Sequence, residues 1–158
     1  MGKLNTIGLD SQKANHIAEK LNELLGNYQV FYINVRGFHW NIKGDKFFEL
    51  HAKFEELYTD SLAKIDEIAE RVLTLGQRPL HSFTDFLRVS GIAEKENVQD
   101  EKVAVMAILE AYNVLLGLER ELLSLSNAAM DEGTNALMSD YIREQEKQVW
   151  MYSSFLGE

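Results

Sequence analysis

The sequence predicts an all-α protein: a four-helix bundle with a short extra helix in the crossover between its second and third long helices. Three observations carry this. Apolar residues recur in alternating steps of three and four along four separate stretches, the spacing that lays one face of a helix on a core. No stretch alternates apolar and polar residues with the period of a strand, and there is no internal repeat or low-complexity segment. The single proline of the chain, Pro79, falls between the second and third stretches, where it disfavours helix at the residue before it.

The elements follow in order. Asp10 and Ser11 are helix-capping residue types. Beyond them Ile17, Leu21, Leu24, Tyr28, Phe31, Val35 and Phe38 form one stripe. They predict a helix running to about residues 37–41, with Gly26 tolerated inside it at a cost of about 1 kcal/mol. Residues 41–44 read as a tight connection. Asp45 is expected to cap the second helix, with Glu49 favourably placed in its first turn. Its apolar positions are Phe47, Phe54, Tyr58, Leu62, Ile65, Ala69 and Val72, and Gly76 suits the residue just past its end. Segment 82–90 suits a short amphipathic helix inside the long connection. A third long helix is expected over 98–127, with Val105, Leu109, Tyr112, Leu116 and Leu123 inward. Gly133-Thr134 opens the fourth, carrying Leu137, Tyr141, Val149, Tyr152 and Phe155 or Leu156. Four long helices with one long middle crossover make the ferritin-like topology.

At 158 residues the chain, 1–158, is expected to form one domain with a substantial core. Hydrophobic residues at 46% and charged residues at 26% are ordinary for a soluble globular protein. There is no apolar run long enough for a bilayer and no signal-peptide pattern, so a cytoplasmic location is expected. Cysteine is absent, which excludes disulfides, thiolate metal sites and a cysteine nucleophile. Any metal must then sit on imidazole and carboxylate, a donor set that suits iron, manganese or zinc. The net charge of −9 argues against nucleic acid as the default partner, which needs a basic patch or tail. Lys3, Lys13 and Lys20 are balanced by Asp10, Glu19 and Glu23, and the C-terminal residues Gly157-Glu158 form no basic tail.

Segment 38–76 gathers the metal-capable residues. His39 ends the first helix; His51 and Glu55 lie four apart on the second, as do Asp66 and Glu70, and residues four apart share a helix face. From His51 to Asp66 the helix rises about 22 Å, too far for both pairs to serve one ion in one chain. Two copies of the helix running antiparallel about a two-fold axis near Asp60-Ser61 bring each His51/Glu55 pair to a partner's Asp66/Glu70 pair. His39 closes one side of each such site. The competing reading is a solvated carboxylate face with His51 at its boundary. None of the four histidines follows a glutamate by three residues, the motif that places a metal inside a single ferritin-like bundle. His16 and His81 have no partner spacing and read as surface residues.

The run H-W-N-I-K-G-D-K-F-F-E-L-H at 39–51, followed by I-D-E-I-A-E-R-V-L-T-L-G-Q-R-P at 65–79, resembles the Dps family of mini-ferritins. The short helix of 82–90 and the closing V-W-M-Y-S-S-F-L-G at 149–157 are similar too. The resemblance implies a dodecameric cage built from two-fold dimers. It implies a ferroxidase centre that binds Fe²⁺, oxidises it with hydrogen peroxide as the favoured oxidant, and stores ferric mineral, protecting against oxidative stress. His39, His51 and Glu55 match the metal ligands of one subunit, and Asp66 and Glu70 those of its partner. Glu55 stands where other members carry Asp, which lengthens the arm. Trp40 occupies the place of the family's tryptophan beside the centre. Zn²⁺ is the expected competitor for these ligands. Asp131, Glu132 and Asp140 are candidates for an acidic entry pore, against a reading as solvated charge. Family members that bind DNA commonly do so through lysine-rich tails, and this chain has none. DNA binding is therefore expected to be weak or absent, and a nucleoid-protecting role is the alternative function.

Overall fold

The computed structural model describes residues 2–158, which form five helices in chain order: α1 (Ser11–Asn41), α2 (Phe47–Thr74), α3 (Phe83–Val89), α4 (Glu101–Ala128) and α5 (Glu132–Phe155). Four helices start at a side chain that takes up an otherwise free N–H of the first turn. Asp10 accepts from Lys13 N, Ser82 from Asp85 N, Asp100 from Val103 N and Asp131 from Thr134 N. The last two move the third and fourth long helices from the expected starts near 98 and 133 to Glu101 and Glu132.

The start of α2 departs from expectation. Asp45 is not its cap; Lys46 holds that position and makes no side-chain cap bond. Instead Glu101, at the start of α4, accepts from Lys46 N at 2.7 Å. Gly44 allows this, because its φ of +144° is open to glycine and a Cβ there would lie 2.4 Å from Glu101 Oε1. The turn is further tied to α4 by Lys43 N donating to Gln99 O at 2.8 Å. The α1–α2 turn is thus fixed by a residue 55 positions downstream of it, which no local pattern announces.

The helix α1 packs along α2 and α4, α5 packs along α4, and α3 lies against α1. All seven residues of the expected α1 stripe are buried, as are Phe54, Ile65, Val72, Val105, Tyr112, Leu116, Tyr141 and Tyr152. Phe47, Tyr58, Ala69, Leu109, Leu123, Leu137 and Val149 are half-buried and pack against this core, as does Leu156, the one of the Phe155/Leu156 pair that turns inward. Leu62 alone departs from the expectation, at 51% exposed. Gly26 is more than tolerated. A Cβ on it would stand 2.3 Å from Val89 Cγ2 and 3.0 Å from the Phe86 carbonyl oxygen, so glycine is what lets α3 seat on α1. Gly76, with φ +93°, ends α2 in the left-handed conformation expected of it.

Of the three candidate pore residues, Asp131 is buried, capping α5 and accepting from Arg71 Nη2 at 2.7 Å. It is a structural anchor between α2 and α5 and has no face to offer a pore. Asp140 is exposed and pairs with Arg143 one turn on; Glu132 is exposed. Among the described residues no strand forms, and no helix is long and apolar enough to cross a membrane.

Candidate metal centre

The five-residue turn between α1 and α2 brings the end of one helix beside the start of the next. His39 in the last turn of α1 therefore meets His51 in the second turn of α2. Their rings stack with centroids 3.7 Å apart and planes 11° from parallel. The ring of His51 has Phe47 on its other face at 4.9 Å, and the edge of Tyr58 meets His39 at 5.3 Å.

The hydrogen bonding of the pair is reciprocal. His39 Nδ1 lies 2.6 Å from the His51 carbonyl oxygen, and His51 Nδ1 lies 2.7 Å from the His39 carbonyl oxygen. A carbonyl oxygen only accepts, so both Nδ1 atoms carry the hydrogen and both neutral rings keep the lone pair on Nε2. The His39 carbonyl is one of the last four of α1, which a helix leaves without an internal partner. His51 satisfies it. This is the arrangement that orients an imidazole for a metal: one nitrogen anchored by a carbonyl, the other bare.

Glu55 lies one turn beyond His51, and Asp66 and Glu70 lie further along α2; all three are exposed. None pairs with a basic side chain among the described residues, although Glu56 and Asp60 on the same helix do, with Lys53 and Lys64. Glu55, Thr59, Leu62, Asp66, Glu70 and Leu73 are all exposed and fall within an arc of roughly 80° at 3.6 residues per turn. The exposed Leu62 sits at the middle of this stripe, and Leu73, 57% exposed, near its end.

Within one chain the structure brings His39 and His51 together and leaves the carboxylates apart from them. Among the described residues no group of three or more His, Asp or Glu side chains is close enough to hold a metal ion. His16 and His81 are exposed; the first is 3.8 Å from Glu19 and the second accepts or donates nothing beyond its own turn, lying 3.1 Å from the Pro79 oxygen. Trp40 is 62% exposed and lies under the Arg36 guanidinium at 4.9 Å, which also covers Tyr32 at 5.0 Å. A second polar cluster, inside the bundle around Lys64 and Glu119, is not among the sequence-based expectations. Its one local sign is a glutamate in the apolar run L-L-G-L-E-R-E-L-L at 115–123.

A bundle of four long helices with a helical crossover, and a histidine pair set beside a carboxylate face, define a ferritin-like protein. Residues 18–158 match the ferritin-like domain family. The chain is 52% identical to an uncharacterized protein of Haemophilus influenzae, covering 94% of this chain and 93% of that one. It is 37% identical to the DNA protection during starvation protein of Porphyromonas gingivalis over 96% of each. The crystal structure of a Dps protein from Vibrio cholerae O1, described as one of the ferritin-like diiron-carboxylate proteins, superposes with a TM-score of 0.95. It shares 53% identity over 97% of this chain and 96% of its own. The chain belongs to the Dps family.

Proposed function

We propose that the protein is an iron-oxidising, iron-storing mini-ferritin whose metal centre is completed only when two subunits meet. His39, His51 and Glu55 from one subunit bind Fe²⁺ together with Asp66 and Glu70 from its two-fold partner. The observation that carries this reading is the reciprocal His39–His51 hydrogen bonding, which leaves two bare Nε2 atoms at the end of a stripe of unpaired carboxylates. The same stripe supports the antiparallel pairing. Leu62 lies within two residues of the expected two-fold midpoint and has no apolar role in the monomer, so a second copy of α2 is the natural cover for it.

Iron is the substrate of this centre. Neutral imidazoles and carboxylates hold Fe²⁺ while leaving positions open to an oxidant, and the negative charge of Glu55, Asp66 and Glu70 favours the ferric product. Hydrogen peroxide is the proposed oxidant. The ferric ions are then stored as mineral inside a dodecamer assembled from these dimers, which removes both Fenton reactants and so protects against oxidative stress. Zn²⁺ competes at the same ligands. The relatives named for DNA protection do not bring a DNA-binding role with them. With a net charge of −9, we expect salt-screened, weak contact with DNA at most.

The test is the double variant His39→Ala/Asp66→Ala, which removes one donor from each half of the centre. Peroxide-driven Fe²⁺ oxidation, followed by absorbance, should slow by tenfold or more with the oligomer unchanged on size-exclusion chromatography. Electron-dense cores should disappear under limiting iron. An unchanged oxidation rate rejects the assignment, and elution as a dimer in the wild type rejects the cage.

A further inference from the structure

Bundles of this class hold metal in their core on Glu and Glu-x-x-His donors from facing helices. The core of this one is also rich in oxygen donors. Midway along it a cavity of about 170 Å³ is lined by Tyr28, Asp60, Lys64, Glu144, Gln145 and Gln148, among others. The Glu119 carboxylate lies fully buried beside it. Its Oε2 accepts from Tyr28 Oη at 2.6 Å and from Gln145 Nε2 at 3.1 Å, and Gln145 Nε2 also donates to the Tyr28 hydroxyl. Three further oxygens, Oε1 of Glu119, of Gln145 and of Gln148, are buried with no hydrogen-bond donor from the protein.

Carboxylate, amide and phenol oxygens in this number are the donors that hard divalent cations select. The cation that stands among them belongs to the chain itself. Lys64, only 5% exposed, puts its Nζ 2.7 Å from Asp60 Oδ2, 2.8 Å from Glu144 Oε2 and 5.0 Å from the centre of the Tyr141 ring. Burial works against its charge, but the bonds to Asp60 and Glu144 outweigh that and the pKa is raised, so the ammonium persists.

We infer that Lys64 is a specificity-determining residue: a tethered cation that occupies the interior oxygen site and keeps divalent ions out of the bundle. An ion entering beside it meets a like charge and finds two of the carboxylates, Asp60 and Glu144, already engaged. Substituting a neutral side chain leaves Asp60 and Glu144 without the ammonium that binds them, and Glu119 with Arg120 as its remaining positive charge; a divalent ion then takes the place of the ammonium. The consequence for iron, that it is confined to the subunit interface, rests on the function proposed above. The exclusion itself does not.

Co²⁺ binding measured by isothermal titration calorimetry on the assembled protein tests it. The His39→Ala/His51→Ala background removes the imidazole ligands of the interface, so the result is independent of whether iron is oxidised there. In that background Lys64→Gln and Lys64→Met should each bind one more Co²⁺ per chain than their parent, at least tenfold more tightly than any interior binding by the parent. Adding Glu119→Gln to Lys64→Gln should weaken this ion tenfold or more, and Lys64→Arg, which keeps the charge, should bind none. Loss of helical circular dichroism in the neutral variants that Co²⁺ restores also supports the inference. Folded variants that bind no additional Co²⁺, equal binding by Lys64→Arg, or a loss of fold that Co²⁺ does not restore overturns it.

Discussion

His39 and His51, twelve residues apart across the α1–α2 turn, each anchor the other: every Nδ1 is held by the other residue's backbone oxygen, at 2.6 and 2.7 Å, and the rings stack at 3.7 Å. Among the described residues neither ring is hydrogen-bonded by a residue outside the pair; Phe47 and Tyr58 add only ring packing. Each histidine is therefore at once a candidate ligand and the support of its neighbour, a role that metal sites commonly give to a separate outer residue.

Single substitution of either histidine is accordingly expected to cost more than one ligand. His51→Ala removes one imidazole, the ring stacked on His39, while the backbone oxygen of residue 51 that anchors His39 Nδ1 remains. It also leaves the His39 carbonyl without its partner at the end of α1, a loss of about 1 kcal/mol. Co²⁺ or Zn²⁺ affinity of the assembled protein should fall by more than the roughly 10–100-fold typical of losing an outer support alone. Calorimetry on the wild type, His39→Ala and His51→Ala measures it.

Complementation follows from the proposed division of the centre between two chains. In an interface pairing a His51→Ala subunit with an Asp66→Ala subunit, one of the two centres receives both defects and the other receives none. Cages reassembled from equal amounts of the two variants should thus recover roughly a quarter of the wild-type number of centres. Each variant assembled alone should recover none. Peroxide-driven iron oxidation by the mixture, compared with either parent, reads this directly. A mixture no faster than its parents excludes a shared centre.

Much of this was legible in the chain. The period of the apolar residues gave the four long helices because core burial selects one face, and Asp10, Gly76 and the short helix before Ser90 were each announced by local chemistry. The residues set by tertiary partners were not. Asp45 has the chemistry of a cap, but the turn is closed by Glu101 from another helix. Leu62 fits the periodic stripe of α2, but it falls on the exposed side of that helix, where the carboxylates are. The i,i+4 spacings placed His51, Glu55, Asp66 and Glu70 on neighbouring faces. The stacking of His39 on His51 depends on the geometry of the turn, and the cluster at Lys64 and Glu119 on helices packing together, so neither carries a local signature.

Gly26 separates local from tertiary preference. In an isolated helix Gly26→Ala is expected to stabilise by about 1 kcal/mol. Here the added Cβ meets Val89 Cγ2 at 2.3 Å and the backbone oxygen of Phe86 at 3.0 Å. The substitution should therefore destabilise, by about 1–3 kcal/mol, through displacement of α3. Denaturant unfolding at fixed protein concentration measures the sign. Val89→Ala in the same chain should restore part of the loss but not all, since the backbone contact remains.

Glu119 gives the protein a pH dependence with a defined sign. Burial raises its pKa to about 7, against hydrogen bonds from Tyr28 and Gln145 and the charges of Lys64 and Arg120, which lower it. An unfolded glutamate releases its proton near the ordinary value of 4.5. Between these values the folded chain binds more protons than the unfolded one, so this residue's contribution to stability falls as pH rises from about 4.5 to about 7 and is level beyond. The loss is at most about 3 kcal/mol, because each pH unit across that window is worth about 1.36 kcal/mol. Glu119→Gln keeps an acceptor for Tyr28 and cannot ionise. The difference in unfolding free energy between wild type and Glu119→Gln should shift in favour of the variant across that window, and remain constant on either side. Other carboxylates cancel in the difference. Chemical denaturation at matched subunit concentration, from about pH 4 to 8.5, brackets both values and measures it. A difference that does not vary with pH would show that the Glu119 carboxyl does not titrate differently in the folded and unfolded chains.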